Sequence, residues 1–588
     1  MMNERRPSLF ALFLLSLLAG CAVHALSPGA LSLDEKIGQL FVYAARGTFL
    51  NEASPEYREL LRQVRDNHVG GILWFQSEKV YETAWLNRRL QRAARTPLLI
   101  AADLEAGLGM RFEDTTDWPW PMAIAATGDP SFAEREGAAV AEEARALGLN
   151  QVYAPVADVN LDPDNPSISV RSFGDDPRQV SRFVAAFVRG VQSAGVIATV
   201  KHFPGHGDTR TDSHRSLPVL AATAERLEAV ELVPFRAAII AGVRAVMTAH
   251  LAIPALDPSP APVRNEGHRD NPYTQDAADV TRDATVPASL SAAVTQGLLR
   301  QRLGFGGLVV TDAADMGALV DHYDSGETAV RAILAGADQI PKPPDIDAAI
   351  AGVRSAVASA RIPIERLDAS VERILEAKRW AGAPVPDEER IFRVVDAPEH
   401  RALAAEIAQR SVTLLREEPG VLPLAKATRV LSVAVTDAPE RIGADFAKEL
   451  ERRLAAPPRK LALDSRSVEK DVAAVVDTAR DSDVVLLLLF LRPQSGRGAI
   501  ALPPAAVEAA GRLAASGARV VAIGFGSPYV LRELSPLPTA LAAYGSQTVV
   551  QVAAARALFG EAPIAGRLPV TIPGVAVRGA GIERPGRP

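Results

Sequence analysis

A single cysteine, Cys21, occurs in the 588 residues, so no disulfide can form within the chain. The charge balance is equally sparing. Lys and Arg number 64 against 70 Asp and Glu, leaving −6 at pH 7, and a balance of that sign gives no electrostatic footprint for nucleic acid. Beyond the first 21 residues no apolar run has the length of a membrane span; Val484 to Leu491 (VVLLLLFL) has the length of a buried strand. Glycine-rich phosphate loops are missing from the C-terminal third, where Gly524-Phe525-Gly526 lacks the remaining spacing of such a loop.

The residues that are present describe a packed globular chain with 48% hydrophobic content. Its length exceeds what one core usually organises, so two domains are expected. At the N-terminus Arg5 and Arg6 precede an apolar run from Leu9 to Leu18, the layout of an export signal over 1–21 and too short for a spanning helix. Leu18-Ala19-Gly20-Cys21 resembles a bacterial lipobox. The resemblance implies lipidation at Cys21 and a mature chain anchored to a membrane by acyl chains. Ala22, rather than Asp, follows the cysteine, which favours an outer membrane or cell-surface location.

Residues 30–390 alternate between short apolar runs and Ala-, Leu-, Glu- and Arg-rich helical stretches such as Phe132–Leu147 and Arg182–Ser193. Eight runs are expected as strands: Gln39–Tyr43, Gly70–Phe75, Leu98–Asp103, Gln151–Val156, Val196–His202, Ala245–His250, Leu308–Asp312 and Ala337–Ile340. Eight strand–helix units in a stretch of this size predict a (β/α)8 barrel. Several runs end in a polar residue, at Asp103, His202, His250 and Asp312. A barrel gathers those positions on its C-terminal face. A Pro-bearing, charged stretch follows, with a linker expected over 391–407. Over 408–588 the alternation restarts at Ser411–Leu415, Val430–Val435, Val484–Leu491 and Val520–Phe525, and closes with Gly566–Pro573. These wholly apolar runs predict a second, mainly parallel α/β sandwich domain. One segment, 258–286, is Pro-, Asp- and Arg-rich and reads as an exposed loop overhanging the active face, either a tolerated insertion or a substrate-shaping lid.

The densest chemistry lies in Lys201-His202-Phe203-Pro204-Gly205-His206-Gly207-Asp208 and in Asp212-Ser213-His214 just beyond it. Gly195 to Val200 ahead of it reads as a buried strand, and a strand that opens into a polar, glycine-punctuated loop presents reactive groups. The segment KHFPGHGD followed by T, DSH and LP resembles the signature of family 3 glycoside hydrolases, in the bacterial β-N-acetylglucosaminidase branch. The resemblance is strong over 30–390 and looser over 400–575. It implies an exo-acting retaining β-N-acetylglucosaminidase that takes a GlcNAc-containing glycan or muropeptide, with no cofactor, no metal and no nucleic-acid partner.

Glycosidic cleavage needs a proton donor for the leaving oxygen, and a carboxylate that attacks or activates water. Val310-Thr311-Asp312, followed by Asp315-Met316, resembles the family's nucleophile motif and implies Asp312 as nucleophile. On position alone a helix N-cap is the rival role for Asp312, and Asp315 reads as a charge at a helix N-terminus. Asp212 and His214 match the family dyad in which His protonates the leaving group and Asp orients it. Gly205 and Gly207 would permit the loop motion that brings His214 over the substrate. The resemblance further implies Asp103, Arg111, Arg171, Lys201 and His202 as sugar ligands, although Arg111 and Arg171 could instead pair with Asp103. His206, Asp208 and His250 are expected to support the site from behind. Ala106 stands where the family usually has Gly. The alternatives are a β-glucosidase, a phosphorolytic β-glycosidase, a lipid-anchored wall-binding protein without catalysis, and a metal-dependent hydrolase using His202, His206, Asp208, Asp212 and His214.

Overall fold

The computed structural model describes residues 27–76, 79–264, 280–436, 443–493, 496, 500–534 and 537–587. Eight parallel strands form the first sheet: β1 (Phe41–Arg46), β2 (Gly71–Gln76), β3 (Leu99–Ala102), β4 (Gln151–Val152), β5 (Ile197–Phe203), β6 (Ala245–Thr248), β7 (Leu308–Thr311) and β8 (Ile340–Pro341). Their order is β7-β6-β5-β4-β3-β2-β1-β8, and a parallel bridge between Val310 and Gln339 joins the two ends. All eight expected strands are therefore present in a nearly closed α/β barrel. The largest boundary difference is at β4, where Pro155 cannot donate to a ladder and the strand stops early.

The outer helices follow their sequence signals. In the helix Pro177–Ser193, Asp176 caps the N-terminus by accepting the Gln179 amide, and Pro177 occupies the first turn. Val180, Val184, Phe187 and Val191 fall on one face and are buried against the barrel.

A second sheet contains β9 (Thr413–Arg416), β10 (Val430–Val435), β11 (Arg459–Leu463), β12 (Val484–Leu489), β13 (Val520–Gly524) and β14 (Thr539–Ala542), in the order β11-β10-β12-β13-β14-β9. Every pair is parallel except β14 with β9. Strands β11 and β14 were not expected. The first is an edge strand with four of its five residues at least partly exposed, so it lacks an apolar run. The second is a four-residue TALA segment, too short to stand out.

The stretch 391–407 is packed helix rather than open linker. The helix Pro398–Ser411 sets Leu403, Ala404 and Ile407 into the barrel core and Ala408 into the second domain's core. Barrel residues Ala106, Trp120, Met122 and Val170 join Leu491, Tyr529 and Val570 in one apolar cluster, so the two domains share buried surface. Gly566–Pro573 forms no named strand, although Ile572 bridges Ala576. In the 258–286 segment, residues 265–279 lie outside the described residues. The flanking limbs pair with each other, Ala261 N–H donating to Ala284 O (2.9 Å) and Val286 N–H to Ser259 O (2.8 Å). The export signal and Cys21 also lie outside the described residues. No helix among the described residues is long and apolar enough to cross a membrane.

Candidate active site

A cavity of about 300 Å³ opens at the C-terminal ends of the barrel strands. Asp103, Arg111, Arg171, Lys201, His202, Asp212, His214 and Asp312 all line it. The eight residues expected from sequence thus converge on one site.

Asp103 follows β3, and its carboxylate is held on both sides. Lys201 Nζ donates to Oδ1 (2.7 Å) and Arg111 Nη2 to Oδ2 (2.9 Å). Arg171 does not pair with Asp103. Its guanidinium forks onto Glu105, Nε to Oε2 at 2.7 Å and Nη2 to Oε1 at 2.8 Å. Lys201 also reaches Glu105 Oε1 at 2.7 Å. Burial alone would raise the carboxyl pKa values of Asp103 and Glu105; the facing cations outweigh it and hold both below the ordinary range. The cavity floor is therefore an ion-paired lattice of two carboxylates and three cations, suited to exchanging hydrogen bonds with sugar hydroxyls.

Asp312 sits one residue beyond β7. Its Oδ1 accepts the Ala313 N–H at 2.7 Å, and Oδ2 has no hydrogen-bond partner among the described residues. Burial pushes its pKa up, but the neighbouring His202, His250 and Lys201 and the Ala313 amide prevail and lower it to about 2. The next helix is Gly317–Val320 with Met316 at its N-cap position. Asp312 is thus not a helix cap, and Asp315 lies outside the first turn and pairs with Lys342 at 2.8 Å instead.

Asp212 and His214 form the expected pair. His214 Nδ1 lies 2.8 Å from Asp212 Oδ1, which also accepts the His214 backbone N–H at 3.0 Å. The second carboxylate oxygen accepts the backbone N–H of Gly496, in the second domain, at 2.6 Å. Burial raises the Asp212 pKa, whereas the His214 ring and amide and the Gly496 amide pull it down to about 2. The Asp212 side chain is 2% exposed and that of His214 21%, so the imidazole is the member that substrate can reach.

Sequence reasoning missed Asp158, the residue that organises the Lys201–His206 turn. It is fully buried. Its Oδ2 lies 2.7 Å from His202 Nδ1, and its Oδ1 accepts the His206 N–H at 2.7 Å. A signal existed: Asp158 and Asn160 interrupt an apolar run just after β4. Tyr153, whose buried hydroxyl has no hydrogen-bond partner among the described residues, and Arg492, from the second domain, also line the cavity. Nothing in the sequence marked Arg492.

Gly205 and Gly207 have a different role from the expected hinge. A Cβ on Gly207 would lie 1.8 Å from the Val159 carbonyl oxygen, and one on Gly205 (φ +134°) 2.8 Å from the Glu231 side chain. Both glycines permit close packing of the loop onto the barrel rather than its motion. His250 supports Asp312 from below, with Nε2 3.0 Å from the Ala313 carbonyl and Nδ1 2.8 Å from Ser289 Oγ. His206 contacts Thr209 and Ser213, and Asp208 accepts a hydrogen bond from Arg226 at 2.7 Å. The residues of the metal alternative are thus engaged in protein contacts, Asp212 and His214 with each other, and among the described residues no three His, Cys, Asp or Glu side chains converge as a metal site.

The N-terminal domain model of glycosyl hydrolase family 3 matches residues 32–377, and the family's C-terminal domain model matches 412–580. The chain belongs to glycosyl hydrolase family 3 and is a glycoside hydrolase. It is 32% identical to a β-N-acetylglucosaminidase/β-glucosidase from Cellulomonas fimi over 91% of this chain and 93% of that one. It is 29% identical to β-hexosaminidase A from Pseudoalteromonas piscicida over 88% and 91% of the two chains. Among solved structures, a family 3 β-N-acetylglucosaminidase from Paenibacillus sp. str. FPU-7 aligns with TM-score 0.78 and 33% identity over 92% of this chain and 99% of that one. The β-glucoside phosphorylase BglX aligns with TM-score 0.81 and 26% identity over 94% and 96%.

Proposed function

We propose that this chain is an exo-acting retaining β-N-acetylglucosaminidase that releases terminal β-linked N-acetylglucosamine from peptidoglycan-derived or related glycans. The observation that carries the reading is the pairing of two features in one cavity. Asp312 is held ionised with one oxygen free of hydrogen bonds among the described residues, and the partly exposed His214 is oriented by Asp212.

In the first step Asp312 Oδ2 attacks the anomeric carbon while His214 Nε2 gives its proton to the departing oxygen. The C–O bond to the leaving group breaks, and a glycosyl–Asp312 ester forms. His214 then accepts a proton from water as that water attacks the anomeric carbon; the bond from that carbon to Asp312 breaks, which frees the carboxylate and releases the sugar with retained configuration. Asp212 fixes the tautomer that presents Nε2 to substrate and stabilises the imidazolium. Asp103, Arg111, Arg171, Lys201 and His202 hold the sugar. The names of the relatives support an N-acetylhexosamine substrate. The names of the Cellulomonas fimi relative and of the phosphorylase BglX also support a second reading, cleavage of β-glucosides by water or phosphate; an imidazole repels incoming phosphate less than a carboxylate would.

Turnover of a chromogenic β-N-acetylglucosaminide beside the matching β-glucoside, with and without phosphate and EDTA, separates these readings. Preferential, EDTA-resistant release from the N-acetyl substrate without a phosphate requirement is expected. Preference for the glucoside, or sugar 1-phosphate as product, would replace the reading with its alternative. Loss of activity on chelation would restore the metal-dependent one. We further propose that Cys21 carries the lipid that anchors the mature enzyme at the cell envelope. Radiolabelled palmitate incorporated by the parent and absent from Cys21→Ser tests this, and equal labelling of both would contradict it.

A further inference from the structure

The limbs of the 258–286 segment, which the reaction scheme leaves without a role, meet the loop that carries the acid/base pair. Thr281 N–H donates to Ser216 Oγ at 3.1 Å, Thr281 Oγ1 donates to the Leu217 carbonyl at 2.8 Å, and the two hydroxyls lie 2.8 Å apart. Ser216 and Leu217 lie two and three residues beyond His214 and are 3% and 1% exposed. Leu217 packs in a small apolar cluster with Ala261 and Ala284 from the two limbs, Ala252 from the segment after β6, and Ala318 from the helix beyond Asp312. On its other side the same loop is tied to that helix. Gly317 N–H donates to the His214 carbonyl (3.0 Å) and Ala318 N–H to the Ser213 carbonyl (3.1 Å).

We infer that Thr281 is a positioning residue for the general acid: through Ser216 and Leu217 it clamps the Asp212–His214 turn against the segment that carries Asp312. This rests on the acid/base reading of His214. A proton donor contributes only when its nitrogen meets the departing oxygen, and small displacements forfeit much of that contribution. The described limbs of the segment thereby act on the catalytic loop from outside the cavity, which gives them a role beyond that of a tolerated insertion.

The effect is specific to protonation, so it scales with the leaving group. The measurement is kcat/KM for phenyl and 2,4-dinitrophenyl β-N-acetylglucosaminides, since phenol departs poorly without a proton and dinitrophenol needs none. For Thr281→Ala, the lost hydroxyl contacts should lower kcat/KM on the phenyl glycoside about five- to tenfold and on the dinitrophenyl glycoside about twofold or less. Thr281→Ser, which keeps the hydroxyl, should restore both. Equal losses on the two substrates, or none on either, would overturn the proposal. His214→Ala runs in parallel. A loss of about 100-fold or more confined to the phenyl glycoside supports the acid role, whereas equal losses on both would remove that role and the proposal with it.

Discussion

The backbone N–H of Gly496 donates to Asp212 Oδ2 at 2.6 Å while Oδ1 of the same carboxylate holds the His214 ring at 2.8 Å. The second domain thus touches the proposed acid/base pair of the barrel. Around this contact the domains are pinned by further bonds, including Asn160 Nδ2 to Tyr529 Oη at 3.0 Å and Arg578 Nη1 to Asp175 Oδ1 at 2.7 Å.

Asp212→Asn should keep the fold and lose rate. An amide can still sit between Gly496 and His214, but it no longer stabilises an imidazolium and can select the wrong tautomer. A drop of about 10²- to 10⁴-fold in kcat/KM on a poor leaving group is expected. Steady-state kinetics beside circular dichroism checks this; a folded variant of undiminished activity would contradict the orienting role.

Glu105→Gln should weaken both stability and binding. The Glu105 side chain is 1% exposed and pairs with both Arg171 and Lys201. Removing its charge leaves buried cations short of a partner, at about 3–5 kcal/mol. Lys201 is then drawn wholly onto Asp103, so KM should rise as well. Denaturant titration and substrate saturation curves measure the two effects, and a variant unchanged in both would be inconsistent with the lattice described.

Much of this was legible in the sequence because several apolar strand runs stop at a polar residue; Asp103, His202 and Asp312 declare themselves that way. Asp212 and His214 lie in a loop without periodicity, and only their likeness to a family motif singled them out. Asp158 was hidden because β4 is two residues long, leaving its polar end out of step with the expected strand. The contributions of Arg492 and Gly496 depend on how two domains dock, and no local pattern encodes that. Gly207 looked like a hinge because glycine serves both freedom and close approach; only the Val159 carbonyl beside it distinguishes the two.

Asp312 should remain reactive in acid. Its pKa is lowered to about 2, so the ionised form persists until the pH falls close to that value. Labelling by an activated 5-fluoro glycosyl fluoride of N-acetylglucosamine needs the nucleophile but little proton donation. The labelling rate should therefore be flat between about pH 4 and 8. A rate that climbs with pH across 4–6 would show a carboxyl with an ordinary or raised pKa.

Lys378→Met should alter the pH dependence of stability. Lys378 is buried with Gln39 Oε1 at 2.5 Å as its partner, and burial lowers its pKa to about 7. Between pH 7 and its ordinary value of 10.5 the unfolded chain binds the proton that the folded chain has released, so this residue makes stability rise with pH across that window. Methionine should remove the rise and raise stability at pH 7 by about 1–3 kcal/mol. Thermal melts of both proteins at pH 7 and 10 check this; parallel pH dependences would refute it.

The central claim is that Asp312 carries the sugar during turnover. Intact mass spectrometry after incubation with the 5-fluoro glycosyl fluoride, followed by peptide mapping, tests it directly. A mass increase of one glycosyl residue is expected, located on Asp312 and absent from Asp312→Asn. A label on another carboxylate, or active enzyme that never acquires one, would contradict it.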